Sequence, residues 1–184
     1  MRKTLTLLAL LGATPALASG LDITVEGEAN GVISIELFDD VAPQHVARIK
    51  QLAETGEYNG VAFHRVIDGF MAQTGDVQFG DTTDGYSAAS AGRGKSSFDD
   101  LPAEFSDAPY KRGVVGMARS QSPNSANSQF FITFDEAPFL NGQYTVVGEV
   151  TSGLEVLDAI KRGHPRSGAV EGTPDVMSSV TVTE

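Results

Sequence analysis

Apolar and polar side chains alternate along most of the chain. From Gly31 the run GVISIELF sets Ile33, Ile35 and Leu37 against Ser34 and Glu36, the pattern of a half-buried antiparallel strand, and residues 21–25 are placed to pair with it. Between 61 and 67 the period of two puts Val61, Phe63, Arg65 and Ile67 on one face and Ala62, His64 and Val66 on the other. Asp68-Gly69 then turns the chain, and Phe70, Ala72 and Thr74 alternate with Met71, Gln73 and Gly75. A short strand is predicted over 104–106 and a buried one over 113–117. The Ser-, Asn- and Pro-bearing stretch 118–127 reads as a loop, after which Gln129, Phe131 and Thr133 face one way and Phe130, Ile132 and Phe134 the other. A turn at Asn141-Gly142, a strand over 146–150 and a final strand in SSVTVTE complete the set.

Helical spacing occurs twice. Pro43 stands in a first turn, followed by an apolar stripe of Val46, Ile49, Leu52 and Ala53 that ends at Gly56. Ser152-Gly153-Leu154-Glu155 reads as a capping box, with Leu154, Leu157 and Ile160 inward, Lys161 and Arg162 in the last turn and Gly163 after it. Many short strands with two isolated helices predict a mainly β domain, and the pattern alone leaves a barrel and a sandwich even.

Length and composition narrow the chemistry. The 184 residues suit one domain, which can bury about 70% of its unfolded surface without a staple. There is no Cys, and His45, His64 and His164 lack the paired spacing of metal ligands, so each histidine is expected on the surface or in packing, with no metal and no cofactor. Arg2 and Lys3, the apolar residues 5–11 and Ala16-Leu17-Ala18 form a secretory signal with its cleavage site. Its apolar run is shorter than the roughly 20 residues that span a bilayer, and no Cys follows the cut to carry a lipid. The reading is therefore a signal peptide at 1–18 and a soluble, monomeric domain at 19–184, periplasmic or secreted, with no stable membrane insertion. Removing Arg2 and Lys3 takes the formal charge from -11 to -13, which argues against nucleic acid as a partner.

Two familiar catalytic motifs fail. The stretch that ends in AGRGKSS, residues 91–97, has Ala89 ahead of it where a phosphate loop needs its first glycine, and Gly85-Tyr86-Ser87-Ala88-Ala89 lacks the last glycine of a nucleophile elbow. The candidate chemistry lies instead in FHRVIDGFMAQTGD, residues 63–76, which sets one cation and one amide among large apolar side chains with no acid–base pair of hydrolytic type. A guanidinium against an apolar surface is poorly hydrated, so its hydrogen bonds count for more than in water. Met71 and Phe131 share strand faces with Gln73 and Gln129, as a half-open pocket requires.

Together with MARSQSPNSANSQFFITF, residues 117–134, that stretch resembles the signature of the cyclophilin-type peptidyl-prolyl isomerases; the resemblance runs from about residue 31 to 150 and more weakly to the C-terminus. It implies a closed eight-stranded antiparallel barrel capped by two α-helices, with a groove on the outer wall. It implies isomerisation of X-Pro bonds in proline-containing polypeptides, here exported ones, with folding assistance as the role. Arg65 takes the place of the catalytic donor, and Gln73 and Gln129 hold the substrate backbone or orient Arg65. Phe70, Met71, Phe131 and Leu140 would form the proline pocket, Ala118, Arg119 and Ser120 would bind the residues before proline through the main chain, and Gly92 would let a loop approach the peptide. Phe139 stands where many eukaryotic members carry a Trp that contacts cyclosporin, and Tyr144 where many carry a His lining the pocket. A binding module that holds proline segments without turning them over is the competing reading.

Overall fold

Strands β1 (Gly20–Glu26) and β2 (Gly31–Leu37) form the predicted hairpin, with Ile23 opposite Ile33 and Leu21 opposite Ile35. The computed structural model describes residues 19–84 and 86–184, so the signal expected at 1–18 lies outside the described residues. Seven more strands follow: β3 (Val61–Ala62), β4 (Arg65–Ile67), β5 (Met71–Thr74), β6 (Val114–Met117), β7 (Phe130–Thr133), β8 (Val146–Ser152) and β9 (Val176–Thr183). Helix α1 (Pro43–Glu54) precedes β3, and α2 (Leu154–Ala159) lies between β8 and β9. All pairings are antiparallel, in the order β3-β9-β1-β2-β8-β6-β7-β5-β4.

The expected closed eight-stranded barrel is thus corrected to an open, curled sheet of nine strands. The extra strand arises because the run at 61–67 breaks after Ala62. Phe63 N–H donates to the Asp175 carbonyl, and the His64 carbonyl accepts from Val170 N–H, so both residues bond outside the ladder. One half of the broken run becomes the edge strand beside β9 and the other the edge strand beside β5. Two residues separate the halves, and three Cα steps of 3.8 Å cannot span more than about 11 Å. The sheet therefore curls until its edges lie near each other. The break also turns Phe63 into the interior with Val61 and Val66, away from the face of Arg65 where alternation had placed it.

Alternation elsewhere sorts side chains into two clusters on the two faces of the sheet. Ile23, Ile33, Ala72, Val115, Ile132 and Val147 join the main core, onto which α1 lays Val46, Ile49 and Leu52 and α2 lays Val156 and Leu157. Met71, Val114, Phe131 and Val146, each next in sequence to one of those core residues, meet in a smaller outer cluster with Tyr110 and Leu140. The helices sit against β9 and β2 respectively.

Helix ends differ from the sequence reading. Pro43 opens α1 as expected, but the cap comes from Glu104, in a stretch that is not the short strand predicted over 104–106. Its carboxylate accepts the N–H groups of Gln44 (3.1 Å) and His45 (3.1 Å) and the Nδ1–H of buried His45 (2.6 Å). The capping box at α2 does not form, because Ser152 is held in β8 opposite Ser34 and Gly153, at φ +86°, starts the helix without a side-chain cap. That helix ends at Ala159, so Lys161 and Arg162 lie beyond its last turn.

Burial pushes the His45 imidazole below its ordinary 6.5, against the pull of Glu104. Burial pushes the Glu104 carboxyl up, but the hydrogen bonds from His45 and Gln44 outweigh it and leave the group below its ordinary 4.5. Both folded-state values are depressed, so the unfolded chain binds protons that the folded chain refuses. The stability they contribute is full above the unfolded values and is lost as pH falls, first below 6.5 for His45 and then below 4.5 for Glu104. Glu104→Ala should lower the thermal midpoint by roughly 2–6 °C near pH 7, the effect of losing one helix cap, and the gap to wild type should shrink only as pH falls below the ordinary carboxyl value of 4.5. A gap under about 1 °C at neutral pH would remove Glu104 as the cap.

Candidate active site

Register places Arg65 of β4 opposite Gln73 of β5, and Gln73 opposite Phe131 of β7. Cross-strand partners on one face of a sheet stand within about 5.5 Å at Cβ, so a cation, an amide and an aromatic ring share one row of the outer face. The guanidinium can only donate, which fixes both amides beyond it. Arg65 Nη1 donates to Gln73 Oε1 (3.1 Å), Gln73 Nε2 to Gln129 Oε1 (2.9 Å) and Gln129 Nε2 to the Gly94 carbonyl (2.8 Å).

On its other side Arg65 meets residues 163–170. The Gly168 carbonyl accepts Val66 N–H (2.7 Å), and Arg65 Nε donates to the Ser167 carbonyl (3.3 Å). Gly168 has φ +76°, and a Cβ there would lie 2.6 Å from Ile67 and 3.0 Å from the Arg65 stem, so only glycine lets this loop close on β4. Arg65 Nη1 also lies 4.0 Å from the Met71 sulfur, while Nη2 has no acceptor among the described residues. Burial lowers the guanidinium from its ordinary value, yet an arginine keeps its charge in a protein. A held cation with two free N–H groups therefore faces the groove.

Beneath it opens a cavity of about 410 Å³. Met71, Phe131 and Leu140 form its buried floor, Phe70, Phe139 and Tyr144 its walls, and Ala118, Arg119 and Gln143 complete the rim with Arg65 and Gln73. Tyr110 stacks under Phe131 at 5.8 Å, an approach that Gly116 permits, since a Cβ there would lie 2.3 Å from the Tyr110 hydroxyl. Tyr144 meets Phe131 edge-on, and Phe139, 62% exposed, leans on Phe70 at 5.4 Å. Gly92 and Ser120 are not brought to this cavity. They line a second one, also about 410 Å³, which shares Gln73, Ala118 and Arg119 with the first.

Sequence reading missed four parts of the site. Asp76 is buried and accepts four backbone N–H groups, from Gln78, Phe79, Gly92 and Gly94, so it shapes the loop whose Gly94 carbonyl ends the amide chain. An Asp ahead of a polar, glycine-rich run is a turn signal that was available. Ser167-Gly168 is also a turn dipeptide, but nothing local says that it returns to Arg65 across about a hundred residues. Gln143 and Tyr110 carry no signal beyond size and polarity.

The histidines offer no acid–base partner at the groove. His45 and His64 are interior packing residues, while His164 is half-buried. Both His64 ring nitrogens lack a partner among the described residues, and burial pushes the ring below its ordinary 6.5, which keeps it neutral near pH 7. An oriented cation over an apolar cavity suits stabilisation of a neutral group that gains hydrogen-bond acceptor character as it rearranges.

Residues 21–183 match the sequence model of the family described as cyclophilin type peptidyl-prolyl cis-trans isomerase/CLD. A probable peptidyl-prolyl cis-trans isomerase of Brucella suis biovar 1 (strain 1330) is 59% identical over 153 residues, covering 83% of this chain and 78% of the relative. A peptidyl-prolyl cis-trans isomerase of Helicobacter pylori is 41% identical over 137 residues, covering 72% and 76%. Among solved structures, a cyclophilin type peptidyl-prolyl cis-trans isomerase of Cryptosporidium parvum in the presence of the dipeptide Ala-Pro aligns with TM-score 0.74 at 26% identity, over 90% of this chain and 99% of that one.

Proposed function

This chain belongs to the cyclophilin-type peptidyl-prolyl cis-trans isomerases, and on that footing we propose that Arg65 drives the rotation by hydrogen bonding to the twisted prolyl nitrogen of exported client proteins. Resonance opposes rotation with a barrier of about 18–20 kcal/mol, while cis and trans X-Pro forms differ little in energy. As the bond twists, the nitrogen loses conjugation and becomes an acceptor. A donor aimed there favours the twisted form over both planar ones, with no covalent intermediate and no proton transfer.

The observation that carries this reading is the chain Arg65–Gln73–Gln129–Gly94 at the rim of the apolar cavity, with Nη2 left free to donate. The proline ring enters over Met71, Phe131 and Leu140, and the residues before it cross Ala118, Arg119 and Ser120. The Cryptosporidium relative described with Ala-Pro supports a proline-bearing occupant. Bringing a step of tens of seconds to milliseconds takes about 10⁴-fold, or roughly 5.5 kcal/mol. One charge-assisted hydrogen bond supplies about 1.5–3 kcal/mol, so desolvation in the cavity and clamping of one side of the peptide supply the remainder.

Export rests on the composition of residues 1–18. Arg2, Lys3, the apolar residues 5–11 and Ala16-Leu17-Ala18 direct the chain across the membrane, leaving a monomer, periplasmic or secreted, that assists folding of proline-containing segments there. Ser19, the first residue after the cut, is already tied into the fold: its carbonyl accepts Leu37 N–H (2.8 Å) and its hydroxyl bonds the Asp39 carboxylate.

Two measurements check these statements. Arg65→Ala should lower kcat/KM by about 10²-fold or more, since losing roughly 3 kcal/mol of transition-state interaction costs that much. Affinity for a ground-state proline peptide should fall far less, because the cavity remains; equal losses in rate and affinity would remove Arg65 from the proposed role. N-terminal sequencing of the exported protein should return Ser19 within a residue or two, and recovery of Met1 would overturn the export reading.

A further inference from the structure

The second cavity has a charge unlike the rest of the chain. Arg93, Lys95 and Arg119 stand on its walls against a single carboxylate, Asp100, in a protein of formal charge -11. Lys95 Nζ lies 3.1 Å from Asp100 Oδ1, so those two offset each other. Arg119 donates only to main-chain carbonyls, of Gln143, Ser120 and Gln121, and lies 4.5 Å over the Tyr144 ring, contacts that orient its charge without neutralising it. Arg93 is exposed and bridges no carboxylate among the described residues. Asp76 lies behind the loop, fully buried, with its oxygens taken by four backbone N–H groups. An excess of positive charge is left at the cavity mouth.

Geometry relates this cavity to the proline. In an extended peptide, side chains two residues apart point to the same face, about 6.5–7 Å from each other. The two cavities share the edge formed by Gln73, Ala118 and Arg119, so a chain with its proline in the apolar cavity sends the side chain two residues earlier across that edge. Resting on the reading of the apolar cavity as the prolyl site, we infer that the second cavity selects substrates with Asp or Glu two residues before the proline. Arg119 and Arg93 hold the carboxylate. Exposed ion pairs each change an equilibrium by about 1.4- to 5-fold, which sets the size of effect to seek.

The test uses acetylated peptides Xaa-Ala-Pro-Phe with Glu, Gln or Lys at Xaa, assayed for kcat/KM at low salt and at about 0.5 M salt. The Glu peptide should exceed Gln by about fivefold and Lys by about tenfold or more, and the differences should shrink at high salt, where screening shortens the reach of the cations. Arg93→Gln should leave the Gln peptide unchanged and lower the Glu/Gln ratio, and Arg119→Gln should lower the ratio again. Rates within twofold for all three peptides, or a Glu preference that survives both substitutions, overturn the inference. An equal preference for Glu directly before the proline overturns the placement. Arg65→Ala separates the two proposals: it should slow all three peptides alike and preserve their ratio, whereas a wild-type rate in that variant defeats the Arg65 mechanism and leaves the ratio to decide the cavity.

Discussion

A guanidinium has five donors and no acceptor, so holding one still beside an apolar cavity requires a neighbour that accepts and passes the demand on. At Arg65 that neighbour is Gln73, then Gln129, then the Gly94 carbonyl. A carboxylate in place of the Gln73 amide would form a tighter pair, but it would draw the cation toward itself and weaken the hydrogen bond left for a neutral substrate atom. An amide chain orients the charge and leaves its field available. Ser167 adds a second fixed acceptor at Nε, so the free Nη2 is aimed by constraints on both sides.

The sheet supplies this arrangement through its period of two. Neighbouring residues on β5, β6, β7 and β8 go alternately to the core and to the outer cluster, so the packing that stabilises the interior also sets the floor of the groove. Phe131 and Met71 are held from behind by the strands that carry Ile132 and Ala72 inward. Dense interiors move little, and a floor so held keeps its shape. Asp76 performs the matching task for the loop, fixing Gly92 and Gly94 by their N–H groups and so fixing the far end of the amide chain.

Much of this is legible in the sequence because half-buried strands and pockets leave local patterns. The faces of Phe130 through Phe134, the hairpin at β1 and β2 and the gathering of Phe70, Met71, Phe131 and Leu140 all follow from alternation or from the family motif. The break at Phe63 and His64 was hidden because alternation runs straight through it, and the backbone partners that cause it, Asp175 and Val170, lie more than a hundred residues away. Glu104 escaped for the same reason: it caps a helix 59 residues earlier, and no local pattern announces a cap given in trans. The capping box at 152–155 satisfied the local rule and lost to the ladder that holds Ser152.

The most direct measurement is a double-mutant cycle in kcat/KM with Arg65→Ala and Gln73→Leu. If Gln73 works by aiming the guanidinium, Gln73→Leu alone should cost roughly tenfold, while in the Arg65→Ala background the same change should cost less than about twofold, because no guanidinium is left to aim. Losses that simply multiply would show that Gln73 acts on the substrate independently of Arg65, and would contradict a mechanism in which one oriented cation stabilises the twisted bond.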